Sequence, residues 1–267
     1  MTAVLEAGVT SPERQRIFGR STSVVHRSAV YVGFKPVRSF VEKGGEWSAS
    51  IITVRPEGGV APNIAVKGKV VRREWLSTRR AGFGGRLEWV SQEKDTEVKT
   101  FDFKSAMTPY AFKFKPDKPG FYMFEVSAED EKKRPASAAD TFYVVGKGDS
   151  WWERRDTDIV EMVPDKKGYR PGDTAKILVK SPFARALAMV TVERELVLDR
   201  WLVEVEGGAP FITVPIKDSY LPNAYVSVSL VTGRAGEAKY AEDGEDLAKP
   251  QAKFGYINLP VDPGGRK

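Results

Sequence analysis

The 267-residue chain has no cysteine. That excludes disulfides, thiolate metal sites and a cysteine nucleophile, and leaves the compartment open, since disulfide-free domains also exist outside the cytosol. A single histidine, His26, rules out a His-containing metal cluster and leaves one conceivable catalytic triad. It lies between Val25 and Arg27 with nothing near it that resembles a nucleophile elbow, so it reads as a strand histidine and not as a catalytic base. No apolar run approaches the roughly 20 residues needed to cross a bilayer. The opening MTAVLEAGVT lacks the basic start and long apolar stretch of a signal peptide. Helical periodicity is almost absent, with room for a turn or two near 151–160 and 240–248.

What is present is a soluble-type composition, 41% hydrophobic and 29% charged, with 24 glycines and 17 prolines spread along the chain. The net charge of +6 has a local origin. Residues 67–86, KGKVVRREWLSTRRAGFGGR, hold Lys67, Lys69, Arg72, Arg73, Arg79, Arg80 and Arg86 against Glu74 alone. With Trp75 and Phe83 interleaved, such a stretch could grip single-stranded nucleic acid. A hairpin with a solvated basic face is the simpler reading, and nucleic acid is not expected as a partner.

Alternating runs punctuated by turn residues predict many short strands. In 168–183, GYRPGDTAKILVKSPF, proline and glycine occupy the positions a type II turn favours. Ala175, Ile177 and Val179 then point one way, Lys176 and Lys180 the other. Seven such runs fall in 43–147 and seven more in 158–262. YLPNAYVSVSLV holds in the second unit the place of KPGFYMFEVSAE in the first. The expected organisation is all-β: a hairpin remnant over 1–36, one antiparallel β-sandwich over 37–147, a linker at 148–157, and a second sandwich over 158–267. Trp151-Trp152 suits an interdomain joint better than an exposed ligand-stacking pair. A hairpin alone is marginal, so 1–36 reads as the end of another β-domain. Val4, Ile17, Phe18, Val24, Val30 and Val32 are the candidates for its exposed apolar face.

The search for chemistry yields no catalytic, cofactor-binding or metal-binding residue. Glu129, Asp130 and Glu131 in SAEDEKK read as a solvated hairpin turn. Glu242-Asp243 and Glu245-Asp246 in YAEDGEDLAKP read as an acidic loop without the spacing of a defined cation site. GFGG at 82–85 lacks the strand-to-helix context of a phosphate loop, and GDTAK opens a strand, not a helix.

The second unit resembles the bacterial alpha-2-macroglobulins. The residues that carry the resemblance are Tyr169, Pro171-Gly172-Asp173-Thr174, Ser181-Pro182-Phe183, Val192-Glu193-Arg194, Pro222-Asn223 followed by AYVSVSLV, and Lys249-Pro250 followed by FGYINLPV. In the first unit VHRSAVYVGF, FVEKGGEWS and KPDKPGFYMFEV look like a preceding macroglobulin-like domain, a sandwich of the immunoglobulin or fibronectin-III kind. The resemblance implies a large periplasmic or extracellular protease trap in which a protease cuts a bait segment, the molecule rearranges, and a thioester tethers the attacker. Its partners would be neighbouring domains of the parent and target proteases, with no membrane insertion by this segment. With no cysteine, the family's Cys-x-Glu-Gln thioester is absent from these residues, and no bait segment is identifiable. The expected function is therefore that of a non-catalytic structural fragment of an endopeptidase inhibitor. A stand-alone tandem of immunoglobulin-like adhesion modules is the competing reading.

Overall fold

A computed structural model describes residues 2–81, 87–146, 157–207, 209–234, 236–238, 240, 246 and 248–264. The protein is all-β, and among the described residues the only helical element is a 3-10 turn at Asp218–Tyr220. Residues 151–156, 241–245 and 247, parts of the two stretches expected to turn helically, lie outside the described residues, as does the Trp151-Trp152 pair.

β1 (Thr2–Thr10) and β2 (Arg16–Val24) form a separate antiparallel hairpin, exposed along its whole length. Eight strands follow: β3 (Tyr31–Pro36), β4 (Phe40–Glu42), β5 (Trp47–Val54), β6 (Ala65–Ala81), β7 (Leu87–Lys104), β8 (Tyr110–Phe114), β9 (Gly120–Glu129) and β10 (Pro135–Val145). They build one sheet in the order β3-β5-β8 and a facing one in the order β4-β10-β9-β6-β7. Alternation decides which side chains fill the space between. Trp47, Ala49 and Ile51 of β5 and Phe112 of β8 meet Val66, Val70, Tyr122, Phe124, Val126 and Phe142. Trp47 stacks on Phe142 at 4.2 Å and tilts against Phe124 at 5.0 Å. Gly68 faces the Phe101 ring so closely that a Cβ there would lie 2.1 Å from it.

The second unit repeats the plan with seven strands. β11 (Met162–Pro164), β12 (Thr174–Val179) and β15 (Phe211–Pro215) form one sheet. β14 (Leu196–Glu206), β13 (Arg185–Arg194), β16 (Asn223–Thr232) and β17 (Gln251–Pro260) form the other, in that order. Ile177, Val179, Ile212 and Val214 face Ala188, Val190, Val192, Val226, Val228 and Leu230 across the core. The turn at Arg170–Asp173 has the expected geometry: Gly172 has φ 91°, and the Asp173 amide donates to the Arg170 carbonyl at 2.9 Å.

Four sequence expectations change. The seven runs expected in 43–147 are six strands there, β5 to β10, because Leu87–Lys104 is one continuous strand paired along β6. β3 belongs to the first sandwich and not to a remnant spanning 1–36, because it pairs with β5 from Tyr31↔Val54 to Pro36↔Ala49 and buries Val30 and Val32. Those two valines therefore leave the list of exposed residues. Ile17 and Phe18 point to opposite faces of the hairpin, as the register Gly8↔Phe18, Val9↔Ile17 requires. Asp130 is buried instead of solvated.

Candidate functional site

The sequence candidates for chemistry that fall among the described residues take structural roles, while GFGG at 82–85, Glu242-Asp243 and Glu245 lie outside them. His26 is exposed, with Nδ1 3.0 Å from the Tyr31 hydroxyl, and among the described residues no carboxylate orients it. Among the described residues no group of three or more His, Asp or Glu could hold a metal ion. Asp173 accepts from the Arg170 amide within the turn at 3.1 Å, and so shapes the start of β12. Asp165 accepts from the Tyr169 hydroxyl at 2.8 Å and from the Lys176 amide at 2.9 Å, pinning the same turn to the sheet. Burial pushes the Tyr122 phenol up to about 12, its hydroxyl donating to the Lys118 carbonyl.

Asp130 is the most heavily bonded acid. Its carboxylate accepts from the amides of Ala29, Lys132 and Arg134 and from the Arg134 guanidinium at 2.7 Å. Ser28 Oγ adds a longer bond at 3.4 Å. The Ala29 amide is the largest cause holding this carboxyl well below the usual range, and burial opposes it. The group ties the start of β3 to the β9–β10 turn.

The basic stretch lies in a hairpin, and three of its charges are met by acids. Arg73 makes a bidentate pair with Asp95, at 2.7 and 2.8 Å, and reaches Glu93 at 2.8 Å. Arg72 pairs with Glu74 at 2.8 Å, and its guanidinium also donates to the Pro119 carbonyl. Lys69 pairs with Glu125 at 3.1 Å. Three of the basic residues are thus neutralised by acids, most of them from β7 and β9. Beyond Arg73 the hairpin loses β9 as a neighbour and continues as a two-stranded ribbon. Phe83 and Arg86 lie outside the described residues. The outer face of this sheet holds a groove of about 580 Å³ between Lys67, Lys69, Glu97, Thr100, Asp102 and Glu125. Its lining is of mixed charge.

Two further features stand out. The sandwiches meet at a joint where Phe40, Tyr143 and Val145 pack on Leu178, with Phe121, Val163, Ala209 and Phe211 around them. The side chain of Lys180, nearly buried, bonds Glu161 at 2.6 Å and the Tyr143 hydroxyl at 2.9 Å. Burial, with Glu161 next, raises the Tyr143 phenol. The other feature is the connection between the paired strands β16 and β17. It runs over residues 233–250, far longer than the roughly 2–5 residues of an ordinary hairpin loop. Its described part includes the exposed Tyr240 and the ion pair between Arg234 and Asp246 at 2.6 Å.

This is a chain of paired β-sandwiches without a described catalytic or metal centre, and comparison places it beside known proteins of that build. Residues 160–267 match the family profile of the alpha-2-macroglobulin bait region domain. An alpha-2-macroglobulin homolog from Nostoc sp. is 26% identical over 190 residues, which are 71% of this chain and 10% of the relative. Among solved structures, the native conformation of E. coli alpha-2-macroglobulin is 18% identical with a TM-score of 0.41, covering 98% of this chain and 17% of that one. Salmonella alpha-2-macroglobulin reacted with methylamine is 20% identical with a TM-score of 0.41, covering 97% and 17%. The resemblance to the bacterial alpha-2-macroglobulins read from the sequence is thereby shown. The chain spans about a tenth of the length of that curated relative. The profile match also bears on the expectation of a chain without bait elements, because the segment it covers is the second unit.

Proposed function

We propose that the chain is a non-catalytic structural piece of an alpha-2-macroglobulin-like protease trap, working outside the cytosol in the periplasm or extracellular space. The observation that carries this reading is the profile match over 160–267. In this reading 1–24 closes a preceding macroglobulin-like domain and two sandwiches follow it. The partners are neighbouring domains of the parent and the target protease. Nucleic acid is not among the partners of this reading, which the acids facing Arg72, Arg73 and Lys69, three of the seven basic residues of 67–86, support. No helix among the described residues is long and apolar enough to cross a membrane.

A chain with no cysteine forms no thioester of its own, so it does not hold a protease covalently. The connection over 233–250 supports a narrower role. Its sequence carries Arg234 and Lys239 as cleavage points for a trypsin-like enzyme, Lys249 being followed by Pro250, between two paired strands. Limited trypsinolysis followed by mass spectrometry is expected to cut first within 233–250, while endopeptidases incubated with the chain keep full activity on a large protein substrate. First cuts elsewhere in the second unit would remove the role of that connection. Stoichiometric loss of protease activity would overturn the reading of the chain as a non-trapping piece.

A further inference from the structure

We propose that β14 is a self-recognition edge through which two copies of this chain join, with Leu202 on the two-fold axis. This goes beyond the reading above and does not depend on it.

β14 is the outer strand of its sheet, pairing with β13 and with no other strand among the described residues. Open edges are ordinarily guarded by lysine, proline, a bulge or a short strand. β14 has 11 residues, LVLDRWLVEVE, with neither lysine nor proline, and its four charged residues, Asp199, Arg200, Glu204 and Glu206, are of both signs. Its one irregularity is at the far end: Val192↔Asp199 is followed by Glu193↔Val197, which leaves Leu198 without a partner. Residues 199–206 run in unbroken register against β13. The long edge strand β7 is by contrast interrupted in its middle, where Val70↔Lys99 is followed by Val71↔Glu97 and Val98 bulges.

The charges of β14 fit a second copy in one register. Antiparallel pairing centred on Leu202 sets Arg200 opposite the partner's Glu204 and Glu204 opposite the partner's Arg200. All four side chains lie on the outer face, where Arg200 and Glu204 pair with Thr191 and Leu187 of β13. On the inner face the same register sets Trp201 opposite the partner's Val203, twice over. Both residues are half-buried at the core's open margin. No like charges meet. Within one chain Glu204 already pairs with Arg185 at 2.5 Å, whereas Arg200 makes no ion pair among the described residues, and Leu202 is 64% exposed.

The outer face adds a second motive. Leu202, Met189, Ser229 and Phe254 form one row across the four strands, with Leu187 and Val231 in the next. The apolar members of both rows are exposed. Edge pairing carries the first row straight into its copy, so that Leu202 and Met189 of both chains pack side by side on an eight-stranded sheet.

The test uses the full chain. Sedimentation and light scattering are expected to show a concentration-dependent dimer. Directly opposed residues in an antiparallel pair have Cα atoms about 4.5–5.5 Å apart, inside the range a disulfide bridges. Leu202→Cys, the single thiol in its chain, is therefore expected to give a disulfide-linked dimer on mild oxidation. Arg200→Glu opposes like charges at two symmetric places and is expected to weaken the dimer about tenfold or more. The double variant R200E/E204R opposes unlike charges again but also removes the partner of Arg185, and is expected to restore the dimer in part relative to R200E. Arg200 is exposed and circular dichroism checks that each variant is folded. A wild-type chain that stays monomeric, or a dimer that R200E leaves unchanged, overturns the proposal; the latter result would move the contact elsewhere, for example to the β1–β2 hairpin.

Discussion

Asp130 shows how one side chain acquires a role that its neighbours in sequence do not announce. In SAEDEKK it is the middle of three acids, the usual mark of a solvated turn. Its partner at Ala29 lies about a hundred residues away, so no local pattern predicts its burial. Because its folded pKa is depressed, its stabilising contribution is complete above the unfolded carboxylate range near 3.9 and is lost as pH falls through the folded value. Asp130→Asn is expected to lower the Tm at neutral pH, with the gap to wild type closing towards strongly acidic pH. A gap that is constant with pH would assign the effect to shape alone. Gly255 makes the opposite kind of case, in which space decides. A Cβ there would lie 2.1 Å from the Val160 carbonyl oxygen, beside the parallel bridge from Ile159 to Phe254. Gly255→Ala is expected to cost about 1–3 kcal/mol in denaturant unfolding.

At the scale of elements, the sequence was clearest where alternation is strict and pairing is local. The seven strands of the second unit lie close to where alternation places them, and Pro171-Gly172 marks the turn before β12. It was least clear for β3. Tyr31–Pro36 reads as a continuation of the preceding hairpin, and only its pairing with β5 and the burial of Val30 and Val32 make it part of the first sandwich. β4 is three residues long, paired in parallel with a strand a hundred positions later, and too short to leave a pattern. Two truncations test the assignment. A chain beginning at Arg27 loses only the β1–β2 hairpin, whose Leu5 and Ile17 are 72% and 74% exposed, and is expected to unfold at the wild-type denaturant midpoint. A chain beginning at Val37 also loses β3, with the Ala29 bond to Asp130, and is expected to lose the cooperative unfolding of the first sandwich. Equal stability of the two chains would return β3 to the hairpin. The same distance argument covers the basic stretch: 67–86 looked like a patch because the acids that answer it, Glu93, Asp95 and Glu125, lie on later strands.

For the whole molecule, what matters is how firmly the two sandwiches hold one another. Each has its own core, and the joint between them is a smaller third cluster. Phe40 stacks on Phe211 at 5.2 Å, and Lys180 lies 4.5 Å from the centre of the Tyr143 ring while bonding Glu161. Around this run the bond from the Ser39 amide to the Asp165 carbonyl at 3.1 Å and the looser pairs Lys176–Glu42 and Lys167–Asp140. The outer pairs are exposed and contribute little, so the aromatic stack and the Lys180 contacts hold the angle. A Phe→Ala change in a main core costs about 3–5 kcal/mol, but these rings lie outside both main cores, and their loss falls on the joint. The double variant F40A/F211A is therefore expected to keep the unfolding of each sandwich near its wild-type midpoint. Its small-angle scattering should broaden to that of two bodies tumbling with partial independence. Lys180→Met, which keeps the aliphatic stem and removes the charge, is expected to produce a smaller change in the same direction. Scattering that is unchanged in both variants would mean that residues other than these set the angle between the sandwiches. Collapse of either sandwich in F40A/F211A would show instead that the rings belong to a core.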